Sequence, residues 1–263
     1  RKMRTTNERY DPGGGGINVA RVIQELGGRL TAVYIAGGVT GSVLERLVTD
    51  CGIDGRRINS AGHTRISHVV FERSTGKEYR FVPEGPQVSE PEWRSSLDQL
   101  ETLDCDYLVA SGSLARGVPT DFYVRVGEIA RRKNARFVLD TSGPALRQTL
   151  AAGGVHLVKP SRGEFEELLG EKLPDRKALK NAALSFVRST DVELLVVSMG
   201  REGALLAHSE GVEWQEPLDV PVRSAVGAGD SFVAAMTLGL AQGMPRSKAF
   251  MFGAAAGTAA VLT

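Results

Sequence analysis

Tyr107-Leu108-Val109-Ala110-Ser111, an amphipathic stretch over 120–133, and Phe137-Val138-Leu139-Asp140 are the part of this sequence that decides its fold. The two outer runs are short and apolar, with the composition of buried strands. The stretch between them repeats its apolar residues at helical spacing. A strand, a helix and a second strand in that order imply two parallel strands joined by a crossover. The alternation continues in both directions. Further strands are expected at 31–36, 156–158 and 194–198, and helices at 16–26, 41–51, Arg162–Leu169 and 175–190. Strands apolar along their whole length are covered on both faces. The expected fold is therefore a doubly wound α/β domain around a mainly parallel sheet, with right-handed crossovers.

Several expected strands run into polar or glycine-rich residues: Gly37-Gly38, Ser111-Gly112-Ser113, Asp140-Thr141-Ser142-Gly143 and Lys159-Pro160. Ligands of open α/β sheets sit beyond the carboxyl ends of the strands, so these residues mark the functional edge. Two stretches break the pattern. Residues 63–71 and 78–82 alternate apolar and polar positions and are joined by Arg73-Ser74-Thr75-Gly76-Lys77, which reads as a half-exposed hairpin. It is either a flap over a ligand site or an ordinary edge hairpin.

The 263 residues are 42% hydrophobic, enough for one large domain. A net charge of +1, from 32 basic and 31 acidic residues, gives no overall pull toward nucleic acid or a membrane surface. Cys51 and Cys105 make no metal-ligand pair, and a reducing compartment is the simplest context. The apolar run at 249–262 is short and rich in Ala and Gly, as a packed helix would be, and Arg1-Lys2-Met3-Arg4 has no signal-peptide character. The chain starts without Met and the helical pattern is still open at its last residue, so both native termini are expected to lie outside it. His63, His68, His156 and His208 have no metal-ligand spacing, and Trp93 and Trp214 read as packing over loops.

The sharpest local signal is Val226-Gly227-Ala228-Gly229-Asp230-Ser231, set before a helical pattern at 232–242. Glycines ahead of a helix let successive backbone N–H groups aim at one spot. The helix dipole adds positive potential there, which makes an anion site. Asp230 falls in the first turn beside it and has two readings. It is an ordinary partner of the helix dipole, or it is a general base that takes a proton from an attacking hydroxyl while the amides hold a transferring phosphoryl group. A glycine cluster earlier in the chain, the first of the two, is Pro12-Gly13-Gly14-Gly15-Gly16-Ile17-Asn18-Val19-Ala20-Arg21, which also precedes an amphipathic helix. Bare glycines allow close backbone approach to a polar ligand, and Asn18 can offer an amide to sugar hydroxyls; a flexible turn is the other reading. The cluster is neither a Walker loop, since no Gly-Lys-Ser/Thr follows, nor a dinucleotide fingerprint. Gly112-Ser113 lacks the Gly-x-Ser-x-Gly frame of a hydrolase nucleophile.

These two clusters, with Ser111-Gly112-Ser113-Leu114, Leu157-Val158-Lys159-Pro160 plus Glu164, and Ser198-Met199-Gly200-Arg201-Glu202-Gly203-Ala204 between them, occur in one order. Together they resemble the PfkB (ribokinase-like) family of carbohydrate kinases over nearly the whole chain. The resemblance implies a ribokinase-like kinase domain over 1–263 with a small β-sheet lid formed by about 1–10 and 61–83. It implies that Asp230 is the catalytic base and that the amides of Gly227, Ala228 and Gly229 form the anion hole. Gly14, Asn18 and Ser113 match sugar contacts, and Lys2, Arg4 and Arg65 match cations that reach the substrate's own phosphate. Lys159, Ser198, Gly200 and Gly203 match nucleotide-side positions. Glu164 matches the acidic end of an Asn-x-x-Glu motif that organises Mg²⁺, with Asp140 able to support the metal or simply cap a loop.

The 1-phosphofructokinase and tagatose-6-phosphate kinase branches usually carry lysine in the first glycine cluster. Gly15 and the segment from Thr64-Arg65 through Tyr79-Arg80-Phe81-Val82 are instead similar to PfkB-type 6-phosphofructokinases. The implied reaction is transfer from ATP to fructose 6-phosphate in the cytoplasm, by a homodimer paired through the lid. Fructose 1-phosphate or tagatose 6-phosphate as substrate, and a non-catalytic sugar-phosphate or nucleotide sensor, are the alternatives. Besides a final helical segment that is cut short, four departures from the family pattern stand out. Ser161 replaces the motif asparagine, Ala225 stands where threonine is common, Ala115-Arg116 replaces a proline-rich pair, and the family's first strand with its sugar-binding aspartate is missing.

Overall fold

A computed structural model of the chain describes residues 4–218, 220, 221, 224 and 226–262. Along the chain run α1 (Gly15–Glu25), β1 (Thr31–Gly37), α2 (Gly38–Asp50), β2 (Asp54–Ser60), β3 (His68–Glu72), β4 (Lys77–Phe81), α3 (Glu90–Thr102), β5 (Tyr107–Ser111) and α4 (Phe122–Arg132). Then follow β6 (Arg136–Asp140), α5 (Gly143–Ala152), β7 (Val155–Val158), α6 (Arg162–Leu169), α7 (Arg176–Ser189), β8 (Val192–Ser198), β9 (Ala204–His208), β10 (Gly211–Gln215), α8 (Ala228–Ala241) and α9 (Arg246–Ala260).

The main sheet has the order β10-β9-β8-β7-β6-β5, with β5 to β8 parallel and the β8–β9 and β9–β10 pairings antiparallel. β7 is buried at every position because helices cover both faces of the sheet. Side-chain alternation sorts the core into two layers. Phe137, Leu139, Leu195 and Val197 face α4, α5, α6 and α7, where they meet Val126, Leu146, Phe165 and Leu179. Val138, Leu157, Leu194 and Val196 face Val19 and Ile23 of α1 and Phe232, Val233 and Met236 of α8. Phe137 is 1% exposed, so truncation to Ala is expected to cost about 3–5 kcal/mol.

α8 is buried almost all round, as an apolar helix without a polar face must be. It lies close to α9, where a Cβ at Gly253 would come within 2.9 Å of the Phe232 ring. β1 and β2 form a separate parallel pair, sealed by Ile17 and Ala20 of α1 and Val48 of α2. α1 therefore packs into two cores at once, and its N-terminal turn is fixed from both.

β3 and β4 form a separate antiparallel hairpin in register His68↔Phe81 to Glu72↔Lys77. β3 begins five residues later than the alternation implied, since residues 63–67 are irregular, whereas β4 lies within one residue of its expected bounds, and residues 4–10 carry no strand. β2, α3, α5, β9 and β10 had no counterpart in the sequence reading. Trp93 corrects another expectation, because it lies buried in α3 and meets Phe122 edge-on at 6.3 Å. The helix after the second glycine cluster begins at Ala228, four residues before the apolar pattern starts. Among the described residues no helix is long and apolar enough to cross a membrane.

Candidate active site

The site gathers at the carboxyl ends of β5, β6, β7 and β8, where α1, α6 and α8 point their N-termini. Gly227 caps α8 in the left-handed region, at φ 80°, a conformation glycine adopts freely. Its carbonyl accepts from Ser231 N at 2.8 Å. The amides of the first turn, at Ala228 and Gly229, are thereby left without intrahelical partners at the positive end of the dipole. Gly229 gives them company, because a Cβ there would lie 3.2 Å from Lys159 Nζ. The missing side chain lets an ammonium approach the same mouth.

Asp230, half-buried in that first turn, is held from two other elements. Ser111 Oγ, at the end of β5, donates to Oδ1 at 3.0 Å, and Asn18 Nδ2, on α1, donates to Oδ2 at 2.8 Å. Residues 18, 111 and 230 are thus assembled from three distant parts of the chain. Lys159 is 6% exposed at the end of β7, and its ammonium lies 3.3 Å from Asp140 Oδ1 at the end of β6. Burial pushes the Asp140 carboxyl up from its ordinary range. Lys159 pulls it back, and the charges of Asp230 and Glu164 push it up further. Three carboxylates and one ammonium therefore share a single electrostatic neighbourhood. Tyr123 of α4 donates its hydroxyl to the Gly112 carbonyl at 2.9 Å, and burial, with help from Asp140, pushes its phenol up to about 12. Gly112, at φ 104°, also donates its amide to the Asp140 carbonyl at 2.8 Å, so the end of β5 is tied to both neighbours.

Glu164 forms a reciprocal cap with Ser161 at the start of α6. Ser161 N donates to Oε2 at 2.7 Å, and Glu164 N donates to Ser161 Oγ at 3.3 Å. Its other oxygen has no partner among the described residues. Serine in place of the expected asparagine thus makes a sound helix start and leaves one hard oxygen free. No cluster of three or more His, Cys, Asp or Glu side chains able to hold a metal occurs among the described residues. The donor set fits a Mg²⁺ ion that keeps waters and takes its remaining ligands from a nucleotide, not an ion caged by protein.

Ser198, at the end of β8, pairs with Ser161 as an isolated parallel bridge and donates its amide to the Pro160 carbonyl at 3.0 Å. Gly200 and Gly203 hold the following turn at φ 56° and 89°, and a Cβ at Gly203 would strike the Gln215 carbonyl at 2.1 Å. This turn lies beside the head of α6. Gly14 caps α1 at φ 115°, with open space where a Cβ would stand.

Ser113, Arg65 and Arg4 are exposed and make no contact with the Asp230 group; neither arginine has an ion-pair partner among the described residues. Lys2 and Ala225 lie outside the described residues. Ser111, whose hydroxyl reaches Asp230, was not singled out from the sequence. The signal was present: a small hydroxyl ends an apolar strand immediately before a glycine, on the ligand-facing edge.

Over residues 1–263 the chain matches the model of a family described as pfkB family carbohydrate kinase. It is 43% identical over 264 residues to the ATP-dependent 6-phosphofructokinase isozyme 2 of Mycobacterium tuberculosis, covering 100% of this chain and 77% of that protein. It is 40% identical over 262 residues to the Escherichia coli protein of the same name, covering 99% and 85%. The crystal structure of phosphofructokinase-2 from Escherichia coli in complex with substrates and products aligns with a TM-score of 0.95 at 38% identity, covering 100% and 86%. That protein has also been solved in a tetrameric inhibited form, which aligns with a TM-score of 0.94 at 39% identity over the same shares.

Proposed function

This chain belongs to the pfkB family of carbohydrate kinases, and from that membership we propose that it is an ATP-dependent 6-phosphofructokinase, transferring the γ-phosphoryl group of ATP to fructose 6-phosphate. The observation that carries the mechanism is the Asp230 carboxylate. It stands at the amide mouth of α8 and is oriented by donors from two other elements. Asp230 takes the proton of the sugar's 1-hydroxyl. As that O–H bond breaks, the oxygen bonds to the γ-phosphorus and the bond from phosphorus to the bridging oxygen of ADP breaks. Charge on the moving phosphoryl oxygens falls on the amides of Gly227, Ala228 and Gly229, with the Lys159 ammonium beside Gly229. Little else is needed, because phosphoryl transfer depends mainly on positioning and charge stabilisation.

The nucleotide lies along the turn of Ser198, Gly200 and Gly203. Glu164, through its free oxygen, would help hold a Mg²⁺ ion, which would supply neutralisation of phosphate charge. Gly14, Asn18 and Ser113 hold the sugar. Arg65, exposed and free of an acidic partner among the described residues, meets the 6-phosphate, with Arg4 and Lys2 as further cations from the N-terminal segment. The β3–β4 hairpin closes over the sugar and excludes water that would otherwise waste ATP. Its exposed Val69 and Phe71, which share one face, pair two copies in a homodimer, and the enzyme works in the cytoplasm.

ADP release measured in parallel with fructose 6-phosphate, fructose 1-phosphate and tagatose 6-phosphate tests the reading. Fructose 6-phosphate is expected to give the highest kcat/KM, and a clear preference for either other sugar overturns the substrate. Asp230→Asn is expected to lose on the order of 10²–10⁴-fold in kcat while still binding ATP. Near-parental turnover in that variant removes the base assignment.

A further inference from the structure

We propose that Ser111 is a positioning residue of the transfer reaction, fixing the Asp230 carboxylate through its hydroxyl; this rests on the reading of Asp230 as the general base. The carboxylate accepts one donor on each oxygen, Ser111 Oγ at 3.0 Å and Asn18 Nδ2 at 2.8 Å. One bond leaves a carboxylate free to swing about its Cβ–Cγ axis. Two bonds, from opposite sides, set its plane.

The two donors are not equivalent. Asn18 follows the open turn of Gly13 and Gly14, so a sugar bound there competes for its amide. Ser111 has no such competitor. It ends a sheet strand whose next residue is tied on both sides, by Gly112 N to the Asp140 carbonyl at 2.8 Å and by the Tyr123 hydroxyl to the Gly112 carbonyl at 2.9 Å. Gly15 closes the remaining side. A Cβ there would lie 2.5 Å from Ser111 Oγ and 2.8 Å from Gly112 N, so only a bare backbone leaves the hydroxyl its place. A rigid strand end, a buried tyrosine and a glycine thus converge on one hydroxyl, and that hydroxyl aims at the base.

A serine hydroxyl also suits both protonation states of its partner. It donates to the carboxylate before the reaction. It goes on donating to the carbonyl oxygen of the acid once the sugar's proton has reached the other oxygen. Its contribution is therefore to the geometry of proton transfer and not to holding either substrate.

Steady-state kinetics of the purified chain with fructose 6-phosphate and ATP–Mg²⁺ test this, comparing the parent with Ser111→Ala and Ser111→Thr. Ser111→Ala is expected to lower kcat about 10–100-fold, the scale of misplacing one catalytic group, with both KM values within about twofold of the parent. Ser111→Thr keeps the hydroxyl and is expected to recover most of that loss. The role is overturned by an Ala variant with near-parental kcat, by a loss carried mainly by sugar KM, or by a Thr variant that binds ATP normally yet turns over no faster than Ala. A parent without turnover on any phosphosugar sinks the kinase reading and this role together. An active parent indifferent to Ser111→Ala sinks the role alone.

Discussion

A single missing side chain, that of Gly15, decides how the site is packed. Within the first glycine cluster Gly13 and Gly14 have open space where a Cβ would stand, whereas Gly15 has none. In the sequence all four glycines look alike, and Gly15 was informative only through the branch of the family it pointed to. The structure supplies the physical reason: α1 starts against the end of β5, at a distance that excludes even a methyl group. Gly15→Ala must push α1 or Ser111 aside by several tenths of an ångström. That displacement reaches Asp230 through both of its donors, since Asn18 rides on α1 and Ser111 ends β5. Turnover is expected to fall at least about tenfold, the scale on which small misplacements act. ATP binding should hold, because the Ser198 turn lies on β8. Calorimetric titration with ATP beside kinetics with fructose 6-phosphate checks this; an Ala variant that keeps full turnover shows that the contact can relax without consequence.

Two elements carry more than their local sequence declares. α6 begins with the Ser161–Glu164 cap, and the glutamate that serves it is the one read as serving Mg²⁺. The two duties separate by mutation. Ser161→Ala loses a cap worth about 1 kcal/mol and should lower the thermal midpoint by about 2–4 °C. Glu164→Gln keeps an oxygen for the cap but loses its charge. Its turnover is expected to need several-fold more free Mg²⁺ for half-saturation at fixed MgATP; an unchanged Mg²⁺ requirement separates Glu164 from the metal. The β3–β4 hairpin is the other such element. Val69 and Phe71 lie on one face and Tyr79 and Phe81 on the other, and all four are exposed, Phe71 by 60%. A two-stranded hairpin with apolar residues on both faces buries too little within its own chain to account for them. The proposed function gives them two uses, one face for the sugar and the other for a second copy. Phe71→Asp is expected to convert a dimer to a monomer in light scattering and to lower kcat/KM with it; a dimer of unchanged mass places the interface elsewhere.

At the scale of the molecule, the parallel core was legible because β5 to β8 are apolar runs with no competing pattern. The start of α8 was legible because its glycines stand just ahead of an apolar helical pattern. What escaped was set by tertiary packing. β9 and β10 are antiparallel strands in which apolar residues give no sharp boundary, and α5 follows a glycine and a proline that read as loop. Ser111 did not stand out, since only the arrival of α8 from 119 residues away brings Asp230 to its hydroxyl. The same arrangement buries His156 in the middle of the sheet. Its Nδ1 lies 2.9 Å from Glu193 Oε2, its Nε2 finds no partner among the described residues, and Tyr107, capped by Arg136, meets the ring edge-on at 5.8 Å. Burial pushes its pKa below the ordinary histidine value, Arg136 pushes the same way, and Glu193 only partly offsets them. His208 moves in the same direction, from burial and then Arg246. Both rings are therefore neutral in the folded chain at pH values where the unfolded chain has begun to bind protons. Stability supplied by the neutral rings is complete above the unfolded histidine pKa of about 6.5 and is lost as pH falls toward the depressed folded values. The slope from each ring approaches, at most, about 1.4 kcal/mol per pH unit. This loss precedes the one expected where carboxylates titrate. Urea midpoints at pH 7.5, 6.5 and 5.5 are expected to be level across the first step and to fall across the second, and His156→Gln should flatten that fall by its share. A variant whose midpoints drop as steeply as the parent's shows that the proton goes elsewhere.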